Sequence, residues 1–148
     1  MIAAGETLAA RYGTLLVEGA GGAAVPLTEN ALVVDLIAQL RMPAIIVSRS
    51  TLGTVNHTLL TAEYLKRRNI SVVGVILNDS SIQESDNDPS IAMNAALIEQ
   101  FSDLQVLGRF PHLVDHDQPE ALIQAALRSI NFAPIRQALN CECNELDG

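Results

Sequence analysis

Apolar residues along this chain follow two alternating patterns. Residues 2–12 (IAAGETLAARY) are dominated by Ala and Leu and predict a helix. Residues 14–18 (TLLVE) are a short apolar run ending in an acid and then glycines, which predicts a strand. Over 31–41, Val33, Leu36, Ile37 and Leu40 recur at helical spacing, and Pro43 stops that helix. Residues 44–48 (AIIVS) read as a buried strand. Residues 54–68 read as a helix with Val55, Leu59, Ala62 and Leu65 on one face. Residues 70–77 (ISVVGVIL) are the most strand-like segment, being rich in β-branched side chains. The polar stretch 80–90 contains Pro and predicts a loop. A helix over 91–102, a strand over 104–109 and a helix over 120–131 complete the pattern, and the polar remainder predicts a frayed tail.

Short strands alternating with longer helices imply βαβ units and a parallel sheet. The continuous apolar runs suit strands covered on both faces. Ligands bind beyond the carboxyl ends of such strands. The positions to inspect therefore follow Val17, Ser48, Leu77 and Arg109.

Composition narrows the function. The chain has 148 residues, 49% apolar, enough for one domain with one core. Its formal charge of −8 argues against a nucleic-acid binder, which needs basic surface for phosphates. No apolar run is long enough to span a membrane, and Met1–Glu6 do not read as a signal peptide. Cys141 and Cys143 sit in a polar tail and form no disulfide framework, so the expectation is a soluble, cytoplasmic protein.

Four strand-end loops carry the candidate chemistry. Glu18-Gly19-Ala20-Gly21-Gly22 places a carboxylate and small residues at the end of an apolar run. The acid can ligate Mg²⁺, and the glycines let a ligand approach the backbone; equally, the acid can cap the next turn. Gly19 to Ala24 also fits the dinucleotide fingerprint, but Val25-Pro26-Leu27 follow as extended chain where that fingerprint needs a helix. Ser48 to Thr54 run into the next helix and can form an anion site, or Thr51 or Thr54 can simply cap it. Asn78-Asp79 can meet an adenine edge or form a plain turn. Pro111-His112-Leu113, with Glu120 opening the next helix, can line a flat base. His112 and His116 lack a helix between them and a third ligand, and Cys141-x-Cys143 lacks a partner pair, so both are weak metal signals.

In order and spacing, from about residue 2 to about residue 131, these stretches resemble dethiobiotin synthetase. The most specific run is Leu52-Gly53-Thr54-Val55-Asn56-His57-Thr58-Leu59-Leu60-Thr61. Leu15 to Gly22, Val25-Pro26-Leu27, Asp35-Leu36-Ile37, Gly74 to Asn78, Pro111 and Pro119-Glu120 accompany it. Acid-glycine runs like that at Glu18 also occur in amide-forming synthetases of corrin biosynthesis. The resemblance implies an α/β fold with a three-layer, P-loop-NTPase-like parallel sheet flanked by helices. It divides the chain into 1–131, the carboxyl-terminal portion of such a domain, and 132–148, an extension or tail.

The implied reaction takes 7,8-diaminononanoate, CO₂ and ATP with Mg²⁺. An amine carbamate is phosphorylated by the γ-phosphate, and the second amine closes the cyclic urea, giving dethiobiotin, ADP and phosphate. On the matching positions, Glu18 would ligate Mg²⁺ and Gly21 would bring its backbone near phosphate and substrate, with Gly19 and Ala20 beside the nucleotide. Gly53, Thr54, Val55 and Asn56 would open a helix that receives the substrate carboxylate, a helix that in the family comes from the neighbouring subunit of a homodimer. Asn78 would bind adenine with Asp79 beside it. Pro111, His112 and Leu113 would line the nucleotide pocket and Glu120 would close it, although the spacing from Pro111 to Glu120 exceeds the family pattern. Met93 and Asn94 stand where some members place a substrate-facing tyrosine.

One family element is missing. The sequence holds no Gly-x-x-x-x-Gly-Lys-Ser/Thr, and its single lysine, Lys66, lies mid-helix beside Arg67 and Arg68. The expectation is an N-terminally truncated domain, inactive without the phosphate-loop half. That half would belong to the same gene or to a separate chain, or else have been lost in a decayed relative. The competing expectation is a non-catalytic α/β module for oligomerisation or small-ligand binding.

Overall fold

Three largely apolar segments pair side by side and set the architecture. The computed structural model describes residues 2–12, 14–79 and 88–145. Helix α1 (Ile2–Tyr12) is followed by a hairpin of β1 (Pro26–Thr28) and β2 (Ala31–Leu32), then α2 (Val33–Leu40). The main sheet holds β3 (Ala44–Arg49), β4 (Val72–Asn78) and β5 (Val106–Phe110), all parallel in the order β3-β4-β5. Helix α3 (Thr54–Lys66) crosses from β3 to β4 and α4 (Ile91–Phe101) from β4 to β5. Helices α5 (Pro119–Ser129) and α6 (Ala133–Glu145) complete the chain and touch β5 and β4. This is the α/β arrangement of a parallel sheet flanked by helices, consistent with a P-loop-NTPase-like fold.

The core is aliphatic. Val34, Ile46, Leu65, Ile70, Val75, Leu77 and Ile98 are buried together, and Val55, Ala62 and Ala95 pack on them. Each fully buried aliphatic side chain contributes about 1.5–3 kcal/mol. Of the expected inward face of α3, Val55, Ala62 and Leu65 join this core, the half-buried Leu59 does not, and Thr58 is added to the face. Thr58 is tolerated in the core because its hydroxyl shares a 2.7 Å hydrogen bond with that of Ser48.

Helix α2 is fixed at both ends. Leu32 N–H donates to Asp35 at its start (2.8 Å), and Arg41 takes a left-handed conformation (φ 55°) just past its end. The chain therefore leaves the helix before Pro43. Asp35 also accepts from Arg68, which ties α2 to the turn after α3. The Leu32 N–H, followed by the Arg68 guanidinium, holds the Asp35 carboxyl below its usual range.

Three sequence expectations need correction. Residues 14–18 form no strand: the segment joins neither sheet, Leu16 is 88% exposed and Val17 46%. A β-forming side-chain pattern makes a strand only where a neighbour accepts its backbone hydrogen bonds, and no described segment does. Residues 31 and 32 belong to the hairpin rather than to α2. The segment after residue 131 is not frayed but helical as far as Glu145, because α6 packs back against β4. Of the expected loop at 80–90, residues 80–87 lie outside the described residues.

Candidate functional site

Parallel register brings three strand ends to one edge. Arg49 lies opposite Asn78, and Asn78 opposite Phe110. Ser50, Asp79 and Pro111 follow directly, so three of the four sequence-predicted loops meet at the carboxyl edge of the sheet.

Asp79 is the hub of that edge. Its side chain is only 8% exposed, and its carboxylate accepts from Ser50 Oγ and from Arg109 Nε at 2.8 Å. Its N–H donates to Phe110 O (3.0 Å), and Ser50 N–H donates to Asn78 O (3.3 Å). A carboxylate this buried is stable only while paired, so Arg109 and Ser50 are structurally committed. Asn78, half-buried at the end of β4, presents an amide that takes no partner among the described residues.

The turn before α3 is held by side chains from elsewhere. The Asn94 amide of α4 donates to Ser50 O at 2.8 Å and, more weakly, to Thr51 O at 3.5 Å. Leu52 N–H donates to the Asp88 carboxylate. Gly53 is the N-cap (φ +91°) and provides no side-chain cap, so the capping alternative for Thr51 and Thr54 is not the one observed. Thr54 is 4% exposed and its Oγ1 has no hydrogen-bond partner among the described residues. A buried hydroxyl without a partner at an open helix N-terminus suits an acceptor group of a ligand. Val55 and Asn56 complete that first turn.

Asp88 gives this turn a pH dependence. Hydrogen bonds from the Ser90 hydroxyl, then from the N–H groups of Leu52 and Ser90, hold its pKa below the usual carboxylate value. A lowered folded pKa stabilises the fold above the unfolded value of about 3.9, and that contribution is lost as pH falls through the folded pKa. In a pH series followed by amide NMR, the Leu52 N–H of the chain is expected to keep its shift down to pH 4 and move below it. In Asp88→Asn the shift should be displaced throughout and show no such step.

The remaining predicted residues are placed as follows. Glu18, Gly19, Ala20, Gly21 and Gly22 form an exposed turn, with Gly21 and Gly22 at positive φ. The chain then returns to α2: Ala23 O accepts from Val34 N–H and Val25 O from Val33 N–H, both at 2.9 Å. These carbonyls occupy the start of α2, so the dinucleotide fingerprint from Gly19 to Ala24 has no open helix N-terminus behind it. Pro111 and His112 are exposed, Leu113 is half-buried, and Glu120 is exposed in the first turn of α5, behind Pro119. Among the described residues no group of three or more His, Cys, Asp or Glu side chains is placed to hold a metal. Glu18 can supply one carboxylate to a Mg²⁺ that takes its other ligands from phosphates and water, but these residues form no metal site by themselves.

An open cleft of about 760 Å³ lies at the opposite end of the strands, bordered by Arg41, Pro43, Asn69, Ser71 and Ala138. None of the predicted site residues borders it. Sequence reasoning gave no role to Asp88, Asn94 or Arg109, and took Ser50 only as part of the anion-site loop from Ser48 to Thr54. One signal was available for Asn94, an amide at the inward spacing of Ile91, Asn94, Ala95 and Ile98.

Known proteins are similar to this chain in sequence. The family model described as "AAA domain" matches residues 1–120. The chain belongs to the AAA domain family. Proteins named ATP-dependent dethiobiotin synthetase BioD are similar to it. The one from Bacillus cereus strain B4264 is 39% identical over 133 residues, covering 90% of this chain and 54% of that protein. Those from Bacillus anthracis strain CDC 684 and Bacillus thuringiensis subsp. konkukian are each 39% identical over 131 residues, 88% of this chain and 53% of theirs. The chain thus spans about half the length of the curated relatives it matches. Among its described residues no helix is long and apolar enough to cross a membrane.

Proposed function

We propose that this chain serves the ATP- and Mg²⁺-dependent carboxylation and ring closure of 7,8-diaminononanoate with CO₂, the reaction of a dethiobiotin synthetase. It would act in the cytoplasm, as a homodimer, with a phosphate-loop segment supplied alongside it. The observation that carries this reading is the shared edge on which Asn78, Asp79, Pro111 and the open α3 N-terminus stand together. The names and identity of the relatives support it.

In this reading Asn78 meets the adenine edge, with Asp79 held beside it by Arg109 and Ser50. Pro111, His112 and Leu113 line the base, and Glu120 closes over it. Gly53, Thr54, Val55 and Asn56 receive the substrate carboxylate through first-turn N–H groups and the Thr54 hydroxyl. Glu18 offers a carboxylate to Mg²⁺, which when bound would neutralise the transferring phosphates. Gly19, Ala20 and Gly21 let those phosphates pass close to the backbone. The chemistry asks chiefly for positioning, since carbamate oxygen and γ-phosphate must be held in line.

A further strand could pair beside β3. Val47 on β3 is 65% exposed, and among the described residues β3 pairs with β4 alone. An apolar edge of this kind favours addition of another strand. The test combines the purified chain with the phosphate-loop half of a family member, MgATP, bicarbonate and 7,8-diaminononanoate. Dethiobiotin formation by the mixture, and not by either part alone, is expected. A folded assembly that binds no nucleotide and yields no product would overturn the reading in favour of a non-catalytic module.

A further inference from the structure

We infer that Asn94 is the positioning residue for the α3 N-terminus, and that it governs how well the site takes its carboxylate-bearing substrate while leaving nucleotide binding alone. The inference rests on the function proposed above and adds a determinant of substrate affinity to it.

Asn94 lies on α4, 4% exposed, and its amide reaches across to a different βα loop. It donates to Ser50 O at 2.8 Å, to Ser90 Oγ at 3.2 Å and to Thr51 O at 3.5 Å. No backbone group of α4 reaches that loop, so this amide is the direct tie from α4 to residues 50 and 51 among the described residues. A carbonyl this far from water loses its full solvation if the amide is removed. The two halves of the loop are secured differently. Ser50 is also anchored by its own hydroxyl to Asp79 and by its N–H to Asn78 O. Among the described residues, Thr51, Leu52 and Gly53 have the Asn94 and Asp88 contacts, the Thr54-to-Thr51 turn bond of 3.2 Å and the bond of 3.1 Å from His57 N–H to Gly53 O, which belongs to the first turn of α3 itself. Loss of the Asn94 amide therefore leaves the Asn78–Asp79 side in place and loosens the turn that aims Gly53, Thr54, Val55 and Asn56, which then keeps only the Asp88 tie from outside α3 among the described residues.

The effect should appear as a split between the two substrates. Asn94→Asp keeps the shape and removes the donors, placing a carboxylate against two carbonyl oxygens. In the assembled enzyme at pH 8, KM for 7,8-diaminononanoate is expected to rise about tenfold relative to wild type, the size of one lost buried hydrogen bond. KM for ATP should stay within about twofold. Burial against carbonyls raises the pKa of the new acid, and once protonated it can donate again. The tenfold excess should therefore shrink as pH falls from 8 to 6, a recovery that a general loosening of the fold would not produce. Equal rises in both KM values, or an excess independent of pH, would overturn the inference. If Asn94→Asp does not fold, Asn94→Ala must show the same KM split; should that also fail to fold, Asn94 is a folding residue and the inference is wrong.

If the wild-type assembly makes no dethiobiotin, the functional reading fails separately. The positioning role is then decided by hydrogen exchange on the chain itself. Amides of residues 54–57 should exchange at least about tenfold faster in Asn94→Asp, with those of Val75 and Leu77 unchanged. Unchanged exchange at 54–57 would reject the role.

Discussion

Replacing Gly108 with alanine is expected to leave the chain unfolded or too unstable to purify. Gly108 sits in β5 at φ +149°, and a Cβ there would lie 2.0 Å from the carbonyl oxygen of Ser129 and 3.1 Å from Ile130 Cα. Side chains rarely adopt that backbone conformation, and the obstruction is backbone rather than a side chain that could swing away. Nor can the obstructing segment easily retreat. Ile130 bridges Gly108, Ile130 N–H is bound to Ala126 O at 2.9 Å, and Asn131 N–H is bound to Leu107 O at 2.7 Å. Relieving the clash means pulling the end of α5 off β5, at a cost of roughly 4 kcal/mol or more. That is much of the 5–15 kcal/mol that typically holds a domain together. The readout is urea unfolding followed by circular dichroism, alongside soluble yield. An alanine variant within about 1 kcal/mol of wild type would contradict the close approach of α5 to β5. The consequence extends to the site, because β5 delivers Arg109 to Asp79.

Replacing Glu18 with glutamine should do the opposite, sparing the fold and removing activity. Glu18 is exposed and makes no hydrogen bond or ion pair among the described residues. Its loss should change stability by less than about 0.5 kcal/mol, as for other surface substitutions. In the assembled enzyme the neutral amide would no longer offer a charged ligand to Mg²⁺ beside the transferring phosphate. Groups aimed at developing charge are each worth about 10²–10³ in kcat, and a loss of that order is expected. The decisive comparison is kcat at saturating MgATP and diaminononanoate, with unfolding curves of both proteins measured in parallel. Activity within threefold of wild type would remove Glu18 from the proposed chemistry.

Most strand-end loops were legible because their signal is local. Small and turn-forming residues directly after a buried apolar run mark a carboxyl edge wherever the sheet is parallel. Gly53, Asn78 and Pro111 could be placed this way. Asn94, Asp88 and Arg109 could not, because each acts on a partner distant in sequence: Asn94 on Ser50, Asp88 on Leu52, Arg109 on Asp79. The misread strand at 14–18 has the same origin. Its side chains satisfy a β pattern, but a strand is completed by a neighbour's backbone, which side-chain pattern does not reveal.

The sequence by itself determined the alternation of strands and helices, the parallel sheet, most of the inward face of α3 and the resemblance on which the proposed chemistry rests. These depend on periodicity and short runs of residues, which fold physics reads within a few turns of chain. Tertiary structure alone decided that Asp79 is paired with Arg109 and Ser50, that Gly53 rather than a threonine caps α3, that Thr54 keeps a buried hydroxyl without a partner among the described residues, and that the segment after residue 131 returns to β4 as a helix. Each of these depends on which groups exclude water from one another across the fold, and that is settled only when the elements pack.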